Sequence, residues 1–351
     1  MKIDELARKP GPWLRGGGPM SDIVISSRIR LARNIAGYPF LSKVSDEQRT
    51  EVVNLIRRRV DGEGVGRKWR YVDLERVDEL DRQVLVERHL ISRQLVDARG
   101  ARGVSFAKDE SASVMVNEED HLRIQVVRSG VQLEDIWEEI NRLDDRLEEG
   151  IDYAFHPRYG YLTACPTNVG TGIRVSVMLH LPALKLTGEI EKFFRAAKDM
   201  HLAIRGLFGE GTEATGDFFQ ISNQVTLGRT EEEVIDAFKH DVIPRIIKYE
   251  TQERKRLVKE RPLALDDRVW RSYGALRNAR TISSEETMLH LSHLRMGINL
   301  GRIKDVDLTT VNELFLITQP AHLQKLNGSR LNGEQRSAIR AELIRRRLGG
   351  H

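Results

Sequence analysis

The spacing of apolar residues along the chain switches between a strand-like and a helical period. From Val104 to Val127, apolar and polar residues alternate, which is typical of antiparallel strands with one solvent-facing side. From Leu133 to Glu149, apolar residues recur every three or four positions, which predicts a helix that ends at Gly150. This part of the chain is therefore expected to mix sheet and helix.

Further elements follow from the same patterns and from local capping signals. Strands are predicted at Ile173–Leu179, Leu202–Leu207 and Phe218–Leu227, with a helix at Glu189–Met200 between the first two. Capping boxes, in which Ser or Thr precedes Glu or Gln by three positions, predict helix starts at Ser45, Thr230, Ser283 and Thr310, and Asn332 is expected to cap the last helix. The helix after Thr230 is expected to run toward Arg256.

The order of these elements predicts an α+β fold. Strands and helices do not alternate in the regular βαβ order of a doubly wound sheet, and everything beyond Pro262 has a helical pattern. The charge-dense stretch Gln252–Arg261, followed by that proline, is the best candidate for a domain boundary. We therefore expect a catalytic-sized body at 1–260, with a mostly antiparallel sheet flanked by helices, and a small all-helical domain at 261–351.

Composition narrows the class of protein. The chain has 351 residues, of which 40% are hydrophobic, and a single cysteine, Cys165, excludes an internal disulfide and any multi-cysteine metal site. No apolar run approaches the roughly 20 residues that a membrane helix needs, and the polar N-terminal segment lacks a signal-peptide pattern, so we expect a cytoplasmic protein. Residues 251–351 carry 19 Lys and Arg against 11 Asp and Glu, so the basic excess belongs to one region.

Two arginines one residue apart are the first candidate for chemistry. Arg28 and Arg30 lie in the stretch SSRIRLARN and would point to the same side of an extended segment. Two guanidinium forks on one face suit an anion with several oxygens, such as a polyphosphate. A solvated basic strand edge explains the same spacing without a ligand.

A cluster of carboxylates between two predicted strands is the second candidate. In the stretch NEEDHLR, Glu119 precedes Arg123 by four residues, so a base and a cation could meet at one reacting centre. The cluster could equally be a solvated loop tip or a site for a divalent metal.

Two glycine-containing loops complete the set. The stretch CPTNVGTGIR runs from Cys165 to Arg174, and its glycines permit close approach of the backbone to a ligand, although no Lys-Ser/Thr follows as in a Walker A loop. The stretch RGLFGE leads from Arg205 to Glu210, and a flexible loop with one carboxylate can close over a substrate. Each loop alone is also compatible with an ordinary turn.

These four stretches, in this order, resemble the signature blocks of the guanidino kinases, the superfamily that includes creatine kinase and arginine kinase. The resemblance runs from Ser26 to about Gly228 and implies the fold of that superfamily and an ATP-dependent phosphoryl transfer with Mg²⁺. It implies that five arginines form a cage around the ATP phosphates and that neighbouring residues contact the nucleotide. The implied nucleotide-binding residues are Ser26, Ser27, Arg28, Ile29, Arg30, His89, Arg123, Arg174, Val175, Ser176, Val177, Met178, Arg205, Gly206, Leu207, Phe208 and Gly209.

The resemblance also implies roles at the acceptor guanidinium. Glu119 is similar to the catalytic base, Glu210 is similar to the loop carboxylate that holds the other guanidinium nitrogens, and Cys165 would lie beside them as a supporting group. The implied Mg²⁺ would be held chiefly by phosphate oxygens and water, so no protein residue is predicted as a metal ligand.

Within the superfamily, the sequence is more similar to the bacterial protein-arginine kinases of the McsB type. Only 25 residues precede Ser26, too few for the helical domain that closes over a small substrate in creatine and arginine kinases, and a basic helical region follows Pro262. An open site suits a bulky protein substrate. Arg336, Ser337, Arg340 and Ala341 resemble the RDxxRA segment that forms an allosteric phosphoarginine pocket, with Ser337 in place of the expected acid. A solvated basic helix face explains the same spacing without a ligand.

The resemblance further implies several partners and a regulatory role. They are a CtsR-like heat-shock repressor as substrate, an activator of the McsA type, the ClpC–ClpP protease machinery that recognises the arginine mark, and a second copy of the chain in a homodimer. Three alternatives stay open: a small-molecule guanidino kinase, an ATP-binding adaptor without kinase activity, and a nucleic-acid binder. Aromatic residues make up only 6% of the chain, which argues against stacking on nucleic-acid bases.

Overall fold

The computed structural model describes residues 3–8, 11–61, 68–206 and 215–349 of the chain. These residues divide by compactness into two units. Unit 1 contains Met1–Ser26, Val177–Ile221 and Val242–His351, and unit 2 contains Ser27–Ser176 and Ser222–Asp241. The domain boundary predicted between residues 260 and 261 stays a prediction. The two units are defined by packing and not by sequence order, and the chain changes from one unit to the other four times.

The sheet is mostly antiparallel, as the alternating pattern predicted. Its strands run in the order β2-β3-β4-β5-β1-β8-β10-β9, and β6 pairs with β7 in a separate hairpin. The strands are β1 (Val24–Arg33), β2 (Trp69–Asp73), β3 (Gly103–Ala107), β4 (Ala112–Val116), β5 (Leu122–Ser129), β6 (Phe155–His156), β7 (Gly160–Tyr161), β8 (Ile173–His180), β9 (Leu202–Gly206) and β10 (Phe218–Asn223). The strand predicted at Phe218–Leu227 is shorter than expected, because β10 ends at Asn223; the strand predicted at Leu202–Leu207 is found as β9, and residue 207 lies outside the described residues.

Helices follow the capping signals closely. They are α1 (Ile3–Ala7), α2 (Asp46–Asp61), α3 (Glu79–Glu87), α4 (Arg93–Asp97), α5 (Leu133–Glu148), α6 (Pro182–Leu186), α7 (Ile190–Asp199), α8 (Glu231–Asp236), α9 (Ile243–Glu260), α10 (Pro262–Asn278), α11 (Ser284–Asn299), α12 (Leu308–Ile317), α13 (Pro320–Asn327) and α14 (Gly333–Arg347). A π-helical stretch, Ala237–Val242, joins α8 to α9, so the long helix predicted after Thr230 is interrupted once. No described helix is both long and apolar enough to cross a membrane.

Four of the five predicted helix starts are confirmed. Reciprocal capping bonds are present at Thr230, Ser283 and Asn332, and Ser45 exchanges bonds of the same kind with Gln48. The prediction at Thr310 was wrong, because the extended N-cap residue is Asp307 and the helix begins at Leu308. Thr310 therefore lies inside the first turn of α12.

The core of unit 2 lies between the sheet and two amphipathic helices. α2 packs on β2, β3 and β4 through residues such as Val52 and Ile56, and α5 packs on β5. Ile136 and Ile140 of α5 are fully buried, as the helical spacing predicted. In unit 1, α10 and α11 pack together and α6 packs against α9.

A buried ion pair ties the end of β1 to α5. Arg33 donates to one carboxylate oxygen of Asp144 through Nη2 at 2.7 Å and through Nε at 3.1 Å. Its Nη1 donates to the carbonyls of Ala32 and Thr171, and its guanidinium stacks 3.5 Å from the ring centroid of Tyr161. Because both side chains are buried and every arginine nitrogen has a partner, this pair fixes the position of the strand that carries Arg28 and Arg30.

We expect Asp144→Ala to lower the free energy of unfolding by about 3–5 kcal/mol, since it leaves the Arg33 cation buried without its counterion. Glu149→Ala is the matched control, because it removes a largely exposed partner of Arg59 next to the same helix and should cost less than about 1 kcal/mol. Denaturant unfolding of both variants checks this prediction. Equal losses in the two variants would contradict it.

Candidate functional site

Three adjacent strands bring four arginines together. In the sheet order β5-β1-β8, Arg123 is the second residue of β5, Arg174 is the second residue of β8, and β1 between them carries Arg28 and Arg30. Arg28 also donates from Nε to the hydroxyl of Ser176 at 3.5 Å. The positive charges of Arg28, Arg123 and Arg174 all act on Arg30. We call these four residues the arginine cluster.

The centre of this cluster is short of negative charge. Burial, followed by the charges of the other three arginines, lowers the pKa of Arg30 well below its usual value, and the charge of Glu118 offsets only part of this effect. The Nε of Arg30 is buried and has no hydrogen-bond acceptor among the described residues. Buried like charges and an unsatisfied donor are costly without a partner, so the arginine cluster is suited to bind an anion with several oxygens.

His89 lies beside the arginine cluster. Burial, followed by the charges of Arg28, Arg30 and Arg93, lowers the pKa of His89 to about 3. The residue adopts a left-handed backbone conformation, with φ of 58°, and its carbonyl accepts a hydrogen bond from Gln125 at 2.6 Å. It therefore presents a neutral imidazole at neutral pH.

Strand alternation places Ser26 on the same face of β1 as Arg28, and Ser176 and Met178 on the same face of β8 as Arg174. Ser27 donates to the carbonyl of Gly130 at 2.6 Å, and Ser176 lies on the same strand as Arg174, two positions further on. The buried residues of this set are Ser26, Ser27, Ile29, Val175, Ser176, Val177, Met178 and Gly206. Arg205 lies half-buried on β9 in unit 1. Leu207, Phe208, Gly209 and Glu210 lie outside the described residues.

Two carboxylates grip one guanidinium at the start of β5. The Nη1 of Arg123 lies 2.6 Å from the Glu118 carboxylate, and its Nη2 donates to Glu119 at 3.1 Å. The Glu118 side chain is fully buried and also accepts a short hydrogen bond from Ser92, whereas that of Glu119 is 30% exposed. Glu119 is thus the carboxylate that a second guanidinium can reach.

A frame of buried polar groups, which the sequence analysis missed, holds the loop that carries Glu119. Asp120 accepts from Asn34 Nδ2 at 2.6 Å and from the backbone N–H of Ala164 at 2.7 Å, and Asn34 in turn accepts from the N–H of His121 at 2.9 Å. Burial raises the pKa of Asp120, which these hydrogen bonds partly offset. Asn34 lies 86 residues before Asp120 and Ala164 lies 44 residues after it, so the only sequence signal was the run of polar residues itself.

The ring of His121 completes this frame. Its Nδ1 accepts from the N–H of Ile35 at 3.0 Å, and its Nε2 lies 3.0 Å from the carbonyl of Pro39. These partners assign the neutral form with the proton on Nε2. Burial lowers the pKa of His121, which favours this neutral form.

Cys165 lies in a loop that is hydrogen-bonded, through Ala164, to Asp120, the residue next to Glu119. Its Sγ is 3.0 Å from the hydroxyl of Thr167, and the residue is half-buried at the start of a short 3₁₀ turn, Pro166–Asn168. The bond from Ala164 to Asp120 fixes the preceding residue. Cys165 and Glu119 therefore lie on two loops that this hydrogen bond joins directly.

The predicted phosphoarginine pocket falls on α14. Arg336 is half-buried and donates to the carbonyl of Leu331 at 2.8 Å, while Ser337 donates to the carbonyl of Gly333. Arg340 and Ala341 are buried, and Arg340 donates to the carbonyls of Thr318 and Ile282 at 2.9 and 3.0 Å. Because two Arg340 donors already hold backbone carbonyls, a phosphate there would have to compete with these bonds, and the pocket stays a prediction.

Among the described residues, no group of three or more His, Cys, Asp or Glu side chains is arranged to hold a metal ion. The acidic side chains nearest to the arginine cluster, Glu118 and Glu119, already pair with Arg123. A divalent ion that works at this site would therefore depend on oxygens of the bound ligand.

Comparison with known proteins agrees with this geometry. Residues 51–253 match the family model of the ATP:guanido phosphotransferase C-terminal catalytic domain, and residues 262–351 match that of the protein-arginine kinase McsB C-terminal domain. The chain is 48% identical to the protein-arginine kinase of Halothermothrix orenii, over 99% of each chain. It is 46% identical to that of Symbiobacterium thermophilum, over 98% of each chain.

Solved structures show the same likeness. The chain matches lombricine kinase with a TM-score of 0.59 and 27% identity, over 71% of this chain and 75% of the other. It matches the duplicated taurocyamine kinase of Schistosoma mansoni, with bound transition state analog components, with a TM-score of 0.62 and 28% identity. That match covers 67% of this chain and 34% of the taurocyamine kinase chain.

We expect Arg30→Met to raise the free energy of unfolding by about 1–2 kcal/mol, because it removes a half-buried cation from among like charges. The same change should weaken binding of ADP at least about tenfold, because it removes a charge-assisted contact. Thermal unfolding with and without ADP measures both effects. Arg142→Met, on the exposed face of α5, is the control and should change neither. A destabilised Arg30→Met variant that binds ADP normally would contradict the prediction.

Proposed function

The chain belongs to the ATP:guanido phosphotransferase family and phosphorylates protein arginine side chains with ATP, and we propose that the arginine cluster and Glu119 carry out this transfer. The observation that supports this assignment best is the convergence of Arg28, Arg123 and Arg174 on Arg30, whose Nε is buried without an acceptor among the described residues. Glu119 lies at the edge of the same group, paired with Arg123. An anion site and a carboxylate that already orients a guanidinium therefore adjoin each other.

The arginine cluster would hold the phosphates of ATP. Arginine suits this role because its planar fork stays charged and grips phosphate oxygens through two hydrogen bonds. The cations also neutralise the charge that spreads over the transferred phosphoryl group, which is most of what catalysis of this reaction requires. We assign Arg205 to the same role on the resemblance of RGLFGE to its family block, and His89 to a place beside the nucleotide.

The acceptor presents a chemical difficulty that Glu119 resolves. A guanidinium has a pKa above about 12 and offers no lone pair while it is protonated. As an acceptor nitrogen forms its bond to the γ-phosphorus, the bond from phosphorus to the bridging oxygen of ADP breaks, and a proton from that nitrogen passes to the Glu119 carboxylate. The exposed fraction of Glu119, against the buried Glu118, supports this choice of base.

Two further groups complete the proposed acceptor site. Glu210 would hold the other guanidinium nitrogens, a role that rests on its place in the RGLFGE block alone. Cys165 would support the guanidinium from the adjoining loop, and its attachment to Asp120 through Ala164 favours this position. Carboxylates on two sides of a guanidinium would fix its angle of attack.

Mg²⁺ would bind at this site together with the nucleotide. Glu118 and Glu119 are paired with Arg123, so phosphate oxygens and water would supply most of its ligands. When bound, the ion would neutralise phosphate charge. Arg28, Arg30 and Arg174 would then orient the remaining phosphate oxygens.

We also propose the wider role that the resemblance implies. The kinase would act in the cytoplasm, as a homodimer, on a CtsR-like heat-shock repressor and on other proteins that a ClpC–ClpP protease degrades, with an activator of the McsA type. The match of residues 262–351 to the McsB C-terminal domain supports a regulatory role for this region. Arg336, Ser337, Arg340 and Ala341 would form its phosphoarginine pocket, and the hydrogen bonds of Arg340 to Thr318 and Ile282 would have to rearrange around the ligand.

We expect Glu119→Ala to lower the rate of phosphoarginine formation at least about a hundredfold, as loss of a general base does, while ATP binding changes little. The measurement is mass spectrometry, under neutral handling, of an arginine-bearing unstructured protein incubated with MgATP. Glu138→Ala, on the exposed face of α5, is the control and should keep full activity. Normal turnover in Glu119→Ala would remove the assignment of the base, and absence of phosphoarginine with the unmodified chain would remove the proposed function.

A further inference from the structure

Exposed apolar side chains surround the loop that carries Cys165. Phe155 and Tyr159, on the hairpin of β6 and β7, are 57% and 43% exposed. Val225 and Leu227, which follow β10, are 42% and 53% exposed. We call these four residues the apolar rim. Clustered exposed apolar side chains mark surfaces that bind a partner more often than isolated ones do.

The two halves of the apolar rim are joined by backbone contacts. The N–H of Tyr161, in β7, donates to the carbonyl of Gly170 at 2.8 Å. On the other side, the hydroxyl of Thr226 lies 2.9 Å from the carbonyl of Thr167 and 2.7 Å from that of Val169. The loop therefore lies between the hairpin and the segment after β10.

Two glycines let these backbones approach closely. A Cβ on Gly160 would lie 2.4 Å from the carbonyl oxygen of Gly170, and a Cβ on Gly170 would lie 2.9 Å from the Cα of Leu227. Both glycines have positive φ, 73° and 109°. Any side chain at either position would push the layers apart, so the glycines hold the apolar rim on both sides of one loop.

The same loop is attached to the predicted base. Ala164 donates to Asp120, the neighbour of Glu119, and Asn34 donates to the carbonyl of Leu162 at 3.0 Å. An acceptor arginine that reaches Glu119 and Cys165 must therefore enter next to the apolar rim. The polypeptide segments on either side of that arginine would then lie across the apolar rim.

We propose that the apolar rim is the docking surface for the polypeptide segment on either side of the acceptor arginine, and that it selects segments with apolar or aromatic side chains near that arginine. The proposal rests on the proposed function, because it requires a protein acceptor at Glu119. A substrate chain is the occupant because the rim is continuous with the loop at which an acceptor must arrive. The affinity for the substrate segment comes from partial burial of Phe155 and Leu227 against its apolar side chains.

Two short synthetic peptides test this proposal. Each carries one central arginine, flanked in one peptide by Leu and Phe and in the other by Ser and Thr. We expect the unmodified kinase to favour the apolar-flanked peptide about tenfold in kcat/KM, mainly through KM, which is the effect of partly burying one or two apolar side chains.

The double variant Phe155→Ser with Leu227→Ser should lose this preference, because its kcat/KM should fall about tenfold more on the apolar-flanked peptide than on the Ser-flanked peptide. Leu263→Ser, which removes a leucine 82% exposed on α10, is the control and should keep the preference. All three substituted residues are exposed, so the temperature of thermal unfolding should shift little in either variant.

The outcomes separate the two proposals. Loss of the preference in the double variant, but not in Leu263→Ser, would support the apolar rim as the docking surface. Equal rates on both peptides with the unmodified kinase, or a preference that survives in the double variant, would overturn it and leave the proposed function intact. Phosphorylation of neither peptide, nor of the unstructured protein, would overturn both.

Discussion

Repulsion among four arginines on three neighbouring strands is the constraint on which the site depends. Arg30 lies half-buried among Arg28, Arg123 and Arg174, and the burial of its guanidinium, followed by their charges, lowers its pKa. The fold retains this arrangement because neighbouring groups fix the strands independently. The Arg33–Asp144 pair fixes the end of β1, and Glu118 partly neutralises Arg123. Phosphate oxygens placed in the cluster would relieve the repulsion, so the proposed site would exchange stability for affinity.

The same strands also position the proposed acceptor site. Glu118 and Glu119 differ by one position in the chain, but Ser92 and burial fix the first, while the second stays accessible. Asn34, which directly follows β1, reaches Asp120 on one side and the loop before Cys165 on the other. One short polar frame therefore sets the relative position of the proposed phosphate site, the proposed base and the loop of Cys165, and it does so within unit 2 alone.

Local features of the fold could be predicted from the sequence, and long-range pairs could not. The capping boxes at Thr230, Ser283 and Asn332 are complete within four residues, so their signals were sufficient. At Thr310 a similar signal was misleading, because the helix begins one turn earlier, after Asp307. The strand order β5-β1-β8, which makes the arginine cluster, is not a local property of any segment. The resemblance to guanidino kinases supplied the arginines, but neither the buried frame of Asn34, Asp120 and His121 nor the apolar rim could be predicted from the spacing of residues.

Calorimetric titration of the chain with MgADP, AMP and adenosine, at low and moderate salt, tests the central claim most directly. If repulsion within the arginine cluster is relieved by phosphate oxygens, affinity should rise steeply from adenosine to AMP to ADP, by at least about tenfold for each phosphate, and the gain should shrink as salt is added. Equal affinity for the three ligands, or binding of ADP that salt leaves unchanged, would contradict the account.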